Sequence, residues 1–176
     1  MAYYNMAIAM GVNMMPSQLK WIDGQYHFLT ERYDRQNGER IHTQTLAAMS
    51  ETACSYEDLM TVARRLGVSQ MEQEQLFRRM VMNVLGGNVD DHSKNFAFMQ
   101  PRNGGWQITP AYDVTFTVDM KAMPYANYHQ LSMRGKVANI TEEDLLAFAK
   151  ENSIKNAATV IDDVANVLSA CWTYLM

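Results

Sequence analysis

The chain has 176 residues, of which 48% are hydrophobic and 19% charged, and this fits one globular domain with its own core. A formal net charge of −4 lacks the basic footprint of a nucleic-acid-binding protein, so no direct binding of nucleic acid is expected. No apolar run approaches the roughly 18 residues of a membrane span. We therefore expect no contact with a membrane. The two cysteines form no C-x-x-C motif, which favours a reducing, cytoplasmic location.

The first forty residues predict a helix, a hairpin and a loop. Residues 2–10 are mainly apolar and end at Gly11, a pattern typical of a helix that stops at glycine. Apolar residues on both sides of Asp23-Gly24 predict a β-hairpin, because this dipeptide favours two-residue hairpin turns. The polar run "DRQNGERIH" at residues 34–42 is interpreted as a loop.

Three helices are predicted next. The first covers residues 43–50. The second begins after Ser55, a favourable N-cap, and stops at Gly67. The third begins at Ser69, whose partner Glu72 has capping-box spacing, and it carries the continuous apolar stripe of a deeply buried helix.

The remainder of the chain predicts short strands and two further helices. Strand-like runs at residues 96–99 and 106–109 flank the turn-rich segment "QPRNGG". Another hairpin is expected within residues 125–140. Helices are expected after Thr141, where "TEED" gives a helix-start signal, and over residues 157–175.

The stretch "GNVDDHSKNF" concentrates polar residues between the third helix and the first of these strands. If the two strands pair as a hairpin, the chain returns to where the first strand began. Three residues, covering about 10 Å, then separate the second strand from Asp113. We therefore expect Asp90, Asn95 and Asp113 to converge. An amide oxygen and a carboxylate suit Mg²⁺, and a further carboxylate could accept a proton from an incoming hydroxyl.

Asp90 and Asn95 also have the five-residue spacing of the catalytic aspartate and metal-binding asparagine of protein kinases. In those enzymes a second metal-binding aspartate follows a hairpin, as Asp113 does here. The spacing alone arises by chance in many chains, and a polar turn between buried elements is the simpler alternative. The combination of a buried helix, the spaced pair, two strands and an aspartate is far rarer.

Together, "LGGNVDDHSKNFAF" and "GWQITPAYDV" closely resemble the catalytic segment of HipA-type serine/threonine kinases, the toxin components of bacterial toxin–antitoxin modules. "TERYDR" at residues 30–35 resembles the hinge between the lobes of that family. "RIHTQTLAAM" and the run from "HQLSMRGK" to "LLAFA" extend the resemblance over most of the chain. It implies transfer of the γ-phosphate of ATP to a serine or threonine hydroxyl of a protein, with Mg²⁺ and an antitoxin partner.

The resemblance implies catalytic roles for three residues of the loop. Asp90 would be the catalytic base, and Lys94 would contact the transferring phosphate or the base. His92 would be a scaffold that hydrogen-bonds the loop or the metal-binding aspartate. Asp91 matches no required role and is interpreted as a solvated neighbour of the base or a cap of the loop.

The resemblance also implies the ligand-binding residues. Asn95 and Asp113 would bind Mg²⁺. Glu31 and Tyr33 would meet the adenine through the hinge backbone, and Asp34 would lie near the ribose.

The implied fold is mainly α within an α+β class: a protein-kinase-like helical C-lobe with short β-hairpins and a small remnant of the N-lobe. Residues 1–38 would form the remnant and hinge, and residues 39–176 the C-lobe, with the catalytic loop at 86–96 and the metal-binding segment at 110–114. The sequence has no G-x-G-x-x-G loop and no early strand lysine for the phosphates. We therefore expect the chain alone to be weakly active or inactive. Three explanations stay open: an N-lobe in a longer protein, an N-lobe in a separate chain, or degeneration of the gene.

Two other functions fit the same residues. The first is a non-catalytic, kinase-like binding module that engages an antitoxin or a partner chain. The second is a metal-dependent phosphohydrolase that uses "DDH" and Asp113, but it lacks the additional His and Asp ligands of a two-metal site and ranks lowest.

Overall fold

The computed structural model describes residues 1–119, 121, 123 and 127–171, and in this part of the chain the fold is α+β, as predicted. The helices are α1 (Ala2–Ala9), α2 (Leu46–Met49), α3 (Tyr56–Arg65), α4 (Gln70–Gly86), α5 (Glu142–Glu151) and α6 (Ala157–Ser169). The strands are β1 (Ser17–Ile22), β2 (Gln25–Thr30), β3 (Arg35–Gln36), β4 (Glu39–Arg40), β5 (His42–Thr45), β6 (Ala97–Gln100) and β7 (Gln107–Ile108). They form antiparallel sheets in the orders β1-β2, β3-β4 and β5-β6-β7. Among the described helices, none is long and apolar enough to cross a membrane.

Helix α4 is the central element of the core and packs against α3, α6 and β7. The predicted capping box is present at its start, where Ser69 Oγ donates to Glu72 Oε2 (2.7 Å). The other carboxylate oxygen of Glu72 accepts the amide of Ile108 in β7 (3.0 Å). One side chain therefore begins the central helix and also fastens the small sheet to it.

The predicted N-terminal hairpin is confirmed. Strands β1 and β2 pair across Asp23 and Gly24, which have positive φ angles of 49° and 85°. This is the left-handed pair that a two-residue hairpin turn requires, and it explains the Asp-Gly sequence. Helix α1 ends as predicted before Gly11, whose φ is 75°.

Two predictions between residues 34 and 50 are wrong. The predicted loop at 34–42 forms a second short hairpin, β3–β4, around Asn37-Gly38. Its polar flanks hid the turn signal, because no apolar alternation surrounds it. The predicted helix at 43–50 is helical only in its second half, since residues 42–45 form strand β5 and pair with β6.

The hairpin predicted within residues 125–140 is reduced to a turn where the structure describes it. Arg134 and Gly135 have positive φ, and Met133 and Lys136 exchange backbone hydrogen bonds of 2.8 and 2.9 Å. Residues 124–126 lie outside the described part of the chain. Helix α5 begins after Thr141 as predicted, whereas α6 ends at Ser169, and the predicted residues 172–175 also lie outside the described part.

Candidate functional site

The backbone of Asp90 is held on both sides while its side chain is exposed. Its amide donates to the hydroxyl of Thr117 (3.1 Å), and its carbonyl accepts the Asn95 side-chain amide (3.0 Å). The Asp90 side chain is 58% exposed. The predicted base therefore lies at the surface on a loop whose backbone is fixed.

The side chains of His92 and Lys94, the other two predicted catalytic residues, make fewer contacts with the loop. His92 Nε2 lies 3.9 Å from Asp90 Oδ1, too long for a hydrogen bond. Its Nδ1 is buried and has no partner among the described residues, so the predicted scaffold hydrogen bond of the ring is not found there. The side chain of Lys94 is exposed, and its carbonyl accepts the hydroxyl of Tyr112 (2.7 Å).

The predicted metal ligands are joined through their sequence neighbours. Lys94, which precedes Asn95, contacts Tyr112, which precedes Asp113. The Nδ2 atom of Asn95 is engaged by the loop, which turns its Oδ1 away from that contact, and Asp113 is exposed with a φ of 53°. Both oxygens are hard donors that suit Mg²⁺. Within the described residues no group of three or more His, Cys, Asp or Glu side chains could hold a metal, so ligation by this pair stays a prediction.

The three predicted hinge residues are brought together around a cleft of about 210 Å³. Glu31, Tyr33 and Asp34 line it together with Tyr112. The rings of Tyr33 and Tyr112 stack with centroids 5.5 Å apart and an interplanar angle of 23°. A second cleft of about 330 Å³ shares Tyr112 with the first and reaches Asp113. The two clefts are therefore adjacent.

Tyr112 is a residue of the site that sequence reasoning missed. It stacks on Tyr33 of the predicted hinge through its ring, and its hydroxyl donates to the carbonyl of Lys94 in the loop that carries Asp90. Burial, with a further contribution from Tyr33, raises the pKa of Tyr112 above its ordinary value, which keeps the hydroxyl protonated as a donor. Its position directly before Asp113 was the available signal.

Asp34 is held by two arginines. Arg32 donates to both carboxylate oxygens (2.8 and 2.7 Å), and Arg35 Nη1 lies 2.5 Å from Oδ2. The hydrogen bonds from Arg32, together with the charges of both arginines, lower the pKa of Asp34 to about 2. The carboxylate is therefore ionised at neutral pH beside the hinge cleft.

Asp91 is not the solvated neighbour that the sequence suggested, because its side chain is 0% exposed. Oδ1 accepts the amide of Gln130 (2.8 Å), and Oδ2 accepts the hydroxyl of Tyr56 and lies 2.8 Å from His129 Nδ1. These partners come from α3 and from the chain that precedes α5. The interpretation as a solvated residue is therefore wrong. Asp91 is a buried residue whose hydrogen bonds link segments that are distant in the sequence.

Tyr56, the first residue of α3, continues this hydrogen-bond network to α4. Asn83 of α4 donates to the Tyr56 hydroxyl (3.2 Å) and accepts from the side chain of Asn88 (3.0 Å). Burial, followed by the nearby Asp91 charge, raises the pKa of Tyr56 well above its ordinary value. Tyr56 is therefore a neutral donor. Asn83, a polar residue beside the buried apolar Met82 of α4, was the signal that could have located this network.

Thr117 completes the network from the other side of the loop. Its hydroxyl accepts the amides of Val89 (2.7 Å) and Asp90 (3.1 Å) and lies 3.5 Å from Asn88 Oδ1. Its amide donates to the carbonyl of Gly87 (3.0 Å). The segment that follows Asp113 therefore holds the loop that carries the predicted base.

The Gly87→Ala substitution is expected to destabilise the protein by about 2–4 kcal/mol. Gly87 has a φ of 71°, and an added Cβ would lie 2.8 Å from a ring carbon of Phe116. Left-handed strain costs about 1–2 kcal/mol. The Phe116 ring is 52% exposed and can yield in part, so its overlap with the added carbon adds only the lower part of the overpacking range, about 1–2 kcal/mol. Gly67→Ala is the matched control, because Gly67 has a φ of 72° but no described atom within 4 Å of the added carbon. Urea unfolding measures both, and equal losses would contradict the contact with Phe116.

Comparison with known proteins relates this chain to one family model and to two proteins named as kinases. The model of the HipA-like C-terminal domain family matches residues 1–172. A Sinorhizobium fredii protein named "Putative kinase Y4mE" is 24% identical over an alignment of 165 positions that covers 85% of this chain and 39% of that protein. A Haemophilus influenzae protein named "Putative kinase" is 27% identical over an alignment of 104 positions that covers 51% of this chain and 30% of that protein.

A solved structure shares the fold. It is the complex of HipA, HipB and its operator DNA from Shewanella oneidensis MR-1, with a TM-score of 0.76 and 19% identity over 99% of this chain and 48% of that chain. The chain thus spans less than half the length of these relatives. Because the family model matches nearly its whole length, the chain belongs to the HipA-like C-terminal domain family.

Proposed function

We propose that this chain is the helical catalytic lobe of a HipA-like serine/threonine protein kinase, which transfers the γ-phosphate of ATP to a protein hydroxyl. The observation that carries the proposal is the position of Tyr112, which contacts both the hinge cleft and the catalytic loop. Membership of the HipA-like family and the names of the two relatives support it. The division into a remnant and hinge at 1–38 and a C-lobe at 39–176 belongs to the same proposal.

In this proposal the adenine lies in the 210 Å³ cleft, against Tyr33 and Tyr112. The hinge backbone at Glu31 and Tyr33 meets the base, and the ionised Asp34 faces the ribose side. The 330 Å³ cleft reaches Asp113 along the shared wall, so the phosphates of the nucleotide would extend toward that residue.

Asp90 then accepts the proton of the attacking hydroxyl. Its exposed carboxylate is accessible to a protein substrate, and its backbone is fixed by Thr117 and Asn95. Mg²⁺, when bound, neutralises charge on the phosphates, and the oxygens of Asn95 and Asp113 would hold it. Lys94 carries an exposed positive charge on the same loop and would contact the transferring phosphate.

A second candidate function is a binding module that engages an antitoxin or a partner chain. The hairpin β1–β2 favours it, because one face presents Leu19, Trp21, Tyr26 and Phe28, which are 45%, 59%, 68% and 53% exposed. Apolar faces of this kind often mark interaction sites. The related HipA structure is itself a complex with HipB.

Binding of Mg·ATP tests the kinase proposal. At about 100 times its dissociation constant a ligand stabilises by about 2.7 kcal/mol, which in a chain of this size raises the melting temperature by roughly 5–10 °C. We expect this rise in the wild type but not in Asn95→Ala or Asp113→Ala. Asp162→Ala, an exposed carboxylate variant on α6, is the control and should keep the rise.

Absence of a rise in the wild type, even with the N-lobe of a HipA-like kinase added in trans, would contradict the kinase proposal and leave the binding module. A rise that survives in both Asn95→Ala and Asp113→Ala would mean that nucleotide binds without the predicted metal ligands.

A further inference from the structure

We propose that Asp91 is a positioning residue that fastens the chain at His129 and Gln130 to the catalytic loop. It thereby couples residues 128–133 to the loop that carries the base Asp90. This inference rests on the proposed kinase function and adds to it a residue that positions the catalytic loop.

The first support is the bonding of the Asp91 carboxylate. It accepts hydrogen bonds from the Tyr56 hydroxyl, the Gln130 backbone amide and the Nδ1 atom of His129. Neither Asp91 nor His129 is more than 8% exposed, and Tyr56 is fully buried. A buried carboxylate is costly unless hydrogen-bonded, so these donors stay in place as long as the loop does.

The second support is the arrangement of neighbouring side chains. Asp90 is exposed whereas Asp91 is buried, so consecutive side chains point to solvent and to the core. Their Cα atoms are about 3.8 Å apart. A movement of the backbone at Asp91 would therefore also displace the backbone of the base Asp90.

The third support is the exposure of the residues on either side of His129. Gln130 and Tyr128 flank His129 and are exposed, Tyr128 by 43%. Because the Gln130 backbone amide lies 2.8 Å from the Asp91 carboxylate, these exposed side chains belong to a segment that is bonded directly to the catalytic loop.

The loop is also tied to the core and to the segment after Asp113. Tyr56 continues through Asn83 to Asn88, and Thr117 holds the amide of Asp90. Nucleotide at the predicted metal ligands would therefore restrict the loop and, through Asp91, the chain at 129–130. This predicts a coupling between nucleotide binding and a segment outside the nucleotide clefts.

Amide hydrogen exchange tests the coupling in the wild type, Asp91→Asn and Tyr56→Phe. Tyr56→Phe keeps the ring and removes one donor, so it remains informative if Asp91→Asn folds poorly. Without nucleotide, exchange over residues 87–92 and 128–133 should rise together, by about tenfold in Asp91→Asn and less in Tyr56→Phe. With Mg·ATP, the wild type should gain protection at 128–133, whereas Asp91→Asn should gain it at the hinge only.

Asn152→Ala is the matched control, because Asn152 is buried and accepts from Arg64 (2.7 Å) away from the loop. It should lower global stability without coupled exchange of the two segments. Equal exchange at 128–133 in all variants, after correction for global stability, would overturn the role of Asp91. So would nucleotide protection of 128–133 that survives in Asp91→Asn.

The kinase proposal fails by a different result. If Mg·ATP protects no segment of the wild type, including residues 31–34, even with the N-lobe of a HipA-like kinase added in trans, nucleotide binding is contradicted. The exchange measured without nucleotide then tests by itself whether Asp91 links the loop to residues 129–130. If the two segments do not rise together in Asp91→Asn, the inference is overturned.

Discussion

Asp91→Ala is expected to lower the free energy of unfolding by about 3–5 kcal/mol, because it removes the acceptor of three donors, two of them buried. The Tyr56 hydroxyl and the His129 ring would lose this partner inside the core, and the part-buried Gln130 amide would lose it as well. For a chain of this size the melting temperature should fall by roughly 6–20 °C. Urea unfolding followed by circular dichroism measures the loss.

Asp90→Ala is the natural control, since it removes the adjacent carboxylate from the surface. The Asp90 side chain is 58% exposed, so the expected change in stability is within about 0.5 kcal/mol. Equal losses in the two variants would show that burial and bonding of Asp91 do not stabilise the fold as the geometry indicates.

Asp90→Asn is expected to lower phosphoryl transfer by about 10²–10⁴-fold while nucleotide binding survives. The asparagine keeps the size of the side chain and cannot accept the proton of the attacking hydroxyl. Transfer of labelled phosphate from Mg·ATP to dephosphorylated casein, with an N-lobe supplied in trans, measures the loss. The Mg·ATP-dependent rise in melting temperature measures binding in the same samples.

Asp162→Asn is the control for the loss of one surface carboxylate, and it should transfer phosphate as the wild type does. If Asp90→Asn loses nucleotide binding to the same extent as transfer, Asp90 is a binding residue and a different group is the base.

Elements whose signals are local were predictable from the sequence. The capping boxes at Ser69 and Thr141 and the turn at Asp23-Gly24 depend on residues within three positions of each other. Strand β5 was missed because its partner β6 begins more than 50 residues later, and its own sequence, "HTQT", has no apolar alternation.

The same distinction applies to the candidate site. The spacing of Asp90 and Asn95 is a local property, and the structure joins these residues through a hydrogen bond. The burial of Asp91 depends on Tyr56 and His129, which lie 35 and 38 positions away. A contact of that separation has no local pattern, so the sequence could not distinguish a buried carboxylate from a solvated one.

The position of Tyr112 has a consequence for inhibitor chemistry. A compound that fills the hinge cleft beside Tyr112 leaves its hydroxyl on the carbonyl of Lys94. A compound that enlarges the cleft by turning the ring away breaks this hydrogen bond and the stacking on Tyr33 together. Two ligands of equal affinity would therefore differ in effect, one blocking the cleft and the other also loosening the loop that carries Asp90.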